Sequence, residues 1–112
     1  MDDAVANFRE ATALDPDLFD AWSNLGTALH QRGKLVEAIE AYERALRIDP
    51  RHPATLFNLA LALFVSGDPE GAEQRHELLA VLDPPTAAEL REQLDQLAKL
   101  SLIHISEPTR PY

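Results

Sequence analysis

With 112 residues, 46% of them apolar, the chain is long enough for one small domain with a buried core. A net charge of −9 with no run of Lys and Arg excludes a phosphate-backbone partner, so no nucleic acid is expected. Without cysteine there is no disulfide or thiolate metal site, no stretch nears the roughly 20 apolar residues of a membrane helix, and the acidic start Met1-Asp2-Asp3 lacks a signal-peptide plan, so a cytoplasmic setting away from membranes is expected.

The first predicted helix spans 2–14 and carries Ala4, Phe8 and Ala11. The helix it would pair with is expected to be lost, so one side of Val5 and Phe8 is expected to lack cover. The second spans 18–32, where Trp22, Leu25, Gly26 and Leu29 recur at i, i+3, i+4 and i+7, the stripe of one buried helix face. Gly33 supplies the positive φ that a helix end favours. The third helix, 35–48, has a stripe at Leu35, Ala38, Ile39, Tyr42, Ala45 and Leu46, and Pro50 stops it. The fourth, 53–66, is apolar almost all round. Leu56, Leu59, Ala60 and Leu63 make one face, and Phe57, Leu61 and Phe64 a second stripe. Gly67 ends it. Asp68-Pro69 then reads as an N-cap with proline in the first turn, opening the fifth helix, 69–82. Pro84 is expected to stop that helix, and the sixth, 86–100, shows Ala87, Leu90, Leu94 and Leu97. The short turns predict antiparallel hairpins.

A fixed period overlies these elements. Asp15-Pro16, Asp49-Pro50 and Asp83-Pro84 stand 34 residues apart, each after an aliphatic residue. Ala4, Ala38 and Ala72 keep the same phase, and 19–52 laid over 53–86 gives nine identities, among them Asn24/Asn58, Leu25/Leu59 and Gly33/Gly67. Such self-similarity is the signature of a repeat architecture.

With Trp22, Leu25, Gly26, Leu29, Ala38, Tyr42, Ala45 and Pro50 in order, the chain resembles the tetratricopeptide repeat family. The next repeat follows more loosely through Leu56, Leu59, Ala60, Leu63, Ala72 and Pro84. The resemblance implies an all-α, right-handed superhelix of helix hairpins. It divides residues 1–99 into a partial repeat with the second helix only (1–18), a full repeat (19–52), a degenerate repeat (53–84) and a capping helix (85–99). Arg91, aligned on stripe position with Gly26 and Ala60, is expected to block a further close-packed helix. Residues 100–112 form a tail expected to be foreign. Leu100 to Arg110 resembles the translation of a transposase-type sequencing-library adapter, so the gene is expected to have been cut near Lys99 and the natural protein to be longer. An irregular path is expected beyond about Ser106, and removal of the tail is expected to cost little stability.

No catalytic constellation emerges. His30, His52, His76 and His104 form no metal spacing with a second ligand. Ser23, Ser66 and Ser101 lack a glycine elbow or paired base, and no phosphate-binding loop is present. Glu40–Arg44 and Glu43–Arg47 are i,i+4 pairs of a solvated face. No catalytic residue, metal or cofactor is therefore expected, and no enzyme activity.

The resemblance places the first helix of each repeat along a concave groove, whose candidate lining is Asp20, Ser23, Asn24, Thr27, His30, Gln31, Phe57, Asn58, Leu61 and Phe64. Asn24 and Asn58 hold equivalent places, and carboxamides stacked at successive repeats can hydrogen-bond an extended main chain of any sequence. Similar asparagine ladders occur in the repeats of protein O-GlcNAc transferases. Phe57, Leu61 and Phe64 are expected to form a groove pocket or to be covered by the sixth helix. These helices supply only Arg32, at a helix end, so a grip on a peptide carboxylate lacks its cations. The expected function is a protein-interaction scaffold holding an extended peptide or a partner helix. The alternatives are an accessory arm of a larger glycosyltransferase- or sulfotransferase-like enzyme, and a structural spacer. Neither the partner nor the oligomeric state can be read from the residues.

Overall fold

The computed structural model describes residues 3–106, with side chains over 4–100. Six helices follow one another: α1 (Asp3–Leu14), α2 (Phe19–Gln31), α3 (Leu35–Ile48), α4 (Pro53–Val65), α5 (Pro69–Leu82) and α6 (Pro84–Ser106). No strand occurs among the described residues. The expected irregular stretch beyond Ser106 lies outside them.

The turns explain the element boundaries. Gly33 (φ 77°) and Gly67 (φ 102°) end α2 and α4. Each closes the same pair of crossed bonds: Gly33 N–H to His30 O and Lys34 N–H to Leu29 O, then Gly67 N–H to Phe64 O and Asp68 N–H to Leu63 O. Asp15 and Asp49 act alike after α1 and α3. Their carboxylates accept the N–H two residues on, from Asp17 and Arg51, across a proline that has no N–H to give. The Trp22 indole N–H bonds Pro16 O at 2.8 Å and ties that first turn to α2.

The third Asp-Pro departs from this use. Asp83 accepts from Thr86 N–H at 3.3 Å, so it is an N-cap, and Pro84 and Pro85 open α6 instead of preceding it. Proline suits a first turn, where its missing N–H would have no partner. The helix expected at 86–100 thus begins at Pro84 and continues to Ser106. Its buried residues Ala87, Leu90 and Leu94 match Leu56, Leu59 and Leu63 at an offset of 31, three short of the period.

One core runs through the stack. Leu25, Leu29, Ala38, Tyr42, Leu59, Ala60, Ala72, Leu79 and Leu90 are buried in it. Gly26 is a close-approach position. A Cβ there would stand 2.6 Å from the Tyr42 ring, and burial pushes the Tyr42 phenol above its usual pKa despite a bond to Thr27. Val5, expected to lack cover, is buried against this core, while Phe8 is half-buried. The first helix has two neighbours to pack on, α2 directly and α3 through an Arg9–Glu37 ion pair at 3.2 Å.

Candidate functional site

The helices form an inner and an outer row. α2 touches α4 and α4 touches α6, whereas the backbones of α1, α3 and α5 do not approach one another among the described residues. A stack in contact along one row and spread along the other must curve, with α2, α4 and α6 on the concave side. The smallest extent, 17 Å, leaves room for these two helix layers and no third.

A hydroxyl chain fixes the relation of α2 to α4. The Ser23 hydroxyl meets that of Thr55 at 3.2 Å, and the Thr55 hydroxyl lies 3.0 Å from His52 Nδ1. The same nitrogen accepts from Thr55 N–H at 3.3 Å and so caps α4. The His52 ring stacks tilted on Phe19, centroids 4.6 Å apart. Behind it, Thr27 donates to Ser23 O at 3.2 Å and accepts from the Tyr42 hydroxyl at 3.3 Å. Ser23 and Thr27, read from the sequence as groove residues, have their hydroxyls engaged within the protein.

The other candidates are placed as follows. Asp20, Asn24 and Gln31 are exposed on α2, and His30 is half-buried near its end. Asn58 is half-buried on α4, and neither Asn24 nor Asn58 has a hydrogen-bond partner among the described residues. Phe57, Leu61 and Phe64 pack against the core and keep part of their surface exposed. The cover by α6 is partial: α6 touches α4 and adds Ala87, Leu90 and Leu94 to the same core, yet Phe57, Leu61 and Phe64 stay part-exposed.

Two clefts lie along the α4–α6 seam. One, of about 450 Å³, is lined by His52, Ala54, Phe57, Asn58, Asp83 and Glu89 among others. The second, of about 420 Å³, brings together His30, Leu61, Val65, Gln93 and Leu97. The sequence reading missed Asp83, Glu89 and Gln93. Their signal was the adjacent Pro84-Pro85: aligned on Pro53, it sets Glu89 level with Asn58. A third cleft, about 400 Å³, opens on the other side, between α1 and α3, floored by Trp22, Leu25 and Leu29. Arg44 sits 4.4 Å over the Trp22 ring there.

Arg91 reaches back to α5. Glu73 holds its guanidinium at 2.6 and 2.7 Å, Asp95 lies at 3.5 Å, and the bond from Arg91 keeps the Glu73 carboxyl below its usual pKa. Among the described residues no three His, Asp or Glu side chains are grouped as a metal site needs, and no helix is long and apolar enough to cross a membrane.

Two models of the tetratricopeptide repeat match the chain, over residues 1–53 and 29–94. Among curated proteins, the chain is 42% identical over 60 residues to Protein O-mannosyl-transferase TMTC1 of Homo sapiens, a stretch covering 54% of the chain and 7% of that protein. It is 36% identical over 59 residues to Small glutamine-rich tetratricopeptide repeat-containing protein 2 of Mycosarcoma maydis, 53% of the chain and 17% of that protein. It is also 38% identical over 60 residues to Probable UDP-N-acetylglucosamine--peptide N-acetylglucosaminyltransferase SPINDLY of Solanum lycopersicum, 54% of the chain and 6% of that protein. The chain thus spans less than a fifth of the length of each of these relatives. Among solved structures, MamA superposes with a TM-score of 0.72 at 17% identity, covering 89% of this chain and 70% of that one. The CopN-Scc3 complex gives 0.69 at 22% identity, with 83% and 56% covered.

Proposed function

The chain belongs to the tetratricopeptide repeat family, and from that premise we propose that its concave face holds an extended segment of a partner protein. Repeats of this kind imply a protein–protein interaction scaffold, and a repeat module is non-catalytic in itself. The observation that carries the finer reading is the pairing of Asn24 and Asn58. Two carboxamides lie at equivalent places of successive inner helices, each with donor and acceptor capacity unused by the fold. A main chain running along α2 and α4 meets the same group at each step, beside the half-exposed Phe57, Leu61 and Phe64. The test is the double change Asn24→Ala and Asn58→Ala in the full chain, against a peptide selected from a random displayed library. Each neutral bond is worth about 0.5–1.5 kcal/mol, so affinity should fall several-fold with circular dichroism unchanged. Equal affinity with an intact fold would rule the ladder out.

A second reading concerns what the scaffold serves. Two of the relatives are named as glycosyltransferases, and the chain matches 7% and 6% of their lengths. On that reading these repeats are the substrate-holding arm of a larger enzyme. A catalytic domain encoded in the same gene would support it, and a complete gene without one would remove it.

A further inference from the structure

We propose that the α4–α6 seam accepts a partner segment that sets a basic side chain beside an apolar one. This rests on the concave face being the binding face. It adds the chemistry of the occupant, which the asparagine pair leaves open.

The seam is apolar on the α4 side and acidic on the α6 side. α4 contains no charged residue, and its Phe57 lines the first cleft with part of its ring exposed. Across from it stand Asp83 and Glu89, and neither cleft is lined by a Lys or Arg. Two carboxylates elsewhere carry a cation of their own: Glu37 has Arg9, and Glu73 has Arg91. Glu89 has no ion pair among the described residues, and Asp83 spends one oxygen on the Thr86 N–H. A net charge of −9 raises the local concentration of cations around such a cleft. A Lys or Arg suits it at both ends, because its stem covers apolar surface while its head stays with the carboxylates. A guanidinium also gains from an aromatic face, as Arg44 does over Trp22.

Spacing sets the companion residue. Phe57 and Leu61 are one helical turn apart, about 6 Å along α4. An extended peptide covers that distance in two residues, at about 3.3 Å each. A basic residue beside Phe57 in the first cleft therefore puts the residue two positions away over Leu61, at the near edge of the second cleft. The occupant is an extended segment in which Arg or Lys and a Leu-like residue are separated by one position.

The test uses ¹⁵N-labelled full-length chain and two synthetic peptides, acetyl-GSRALSG-amide and acetyl-GSEALSG-amide, titrated to millimolar concentration. The arginine peptide should shift the amide signals of Phe57, Asn58 and Glu89 and bind about tenfold more tightly than the glutamate peptide. Asp83→Asn with Glu89→Gln should weaken it by roughly three- to tenfold, since exposed charge pairs contribute modestly; Asn keeps the α6 cap. High salt should weaken it too. Equal binding of both peptides at the seam would overturn the basic preference and leave the concave-face reading standing. Shifts confined to the outer helices, or no shifts, would overturn both.

Discussion

The inner faces of α2 and α4 hold equivalent positions 34 residues apart and use them in opposite ways. Ser23 and Thr27 turn their hydroxyls into a chain that reaches Tyr42, Thr55 and His52. Phe57 and Leu61 stand at the matching places and offer carbon to the seam. Beneath them Leu25 and Leu59 are buried alike. The stripe that builds the core is held constant along the repeat, while the stripe one residue to the side is free to serve either wiring or contact.

Separating the two stripes gives the largest expected effect. Leu59→Ala removes a fully buried side chain and should cost about 2–5 kcal/mol in urea unfolding. Phe57→Ala, on the half-exposed stripe, should cost about 1 kcal/mol, in keeping with partial burial. Equal costs would show that Phe57 is core, and the seam would lose its apolar wall.

An intermediate effect probes the close approach. Gly26→Ala brings a Cβ to 2.6 Å from the buried Tyr42 ring and should cost about 1–3 kcal/mol by overpacking. At the matching place of α4, where His76 replaces Tyr42, alanine is already tolerated. There Ala60→Gly should cost about 1 kcal/mol in helix propensity alone, before any packing loss. A stabilising Gly26→Ala would mean that the ring yields more easily than its burial suggests.

The smallest effect lies at the α5–α6 contact. The bond from Arg91 lowers the Glu73 pKa in the folded state, so its stabilisation is present above the ordinary carboxylate range and is lost as pH falls through the folded value. Both groups are more than a third exposed, so the contribution is at most a few tenths of a kcal/mol. Glu73→Gln should therefore flatten the acid limb of the stability curve only slightly. A large loss at neutral pH would identify the pair as a structural requirement of the cap.

Most of the fold was legible, since apolar spacing and turn residues act locally. The first five helices fall within two residues of their expected bounds. The start of α6 was missed because Asp-Pro had twice marked a turn, and only the adjoining Pro85 and Thr86 make Asp83 a cap. Arg91 was expected only to block a following helix. The sequence held no hint that Glu73, 18 residues earlier, lies within reach. The position of Asn24 and Asn58 was readable from the repeat alone. That Ser23 would be consumed by Thr55 was not, because the contact spans 32 residues and depends on how two helices cross.

The two rows also give the stack an uneven stiffness. The inner helices already touch and are latched by the Ser23–Thr55 bond, so curling more tightly meets hard contact. The outer helices are spread, with a cleft of about 400 Å³ between α1 and α3 bridged by one exposed ion pair. Straightening closes that free space about a spine that stays in place. The spread outer row therefore leaves the stack room to straighten, whereas the touching inner row leaves it little room to curl further.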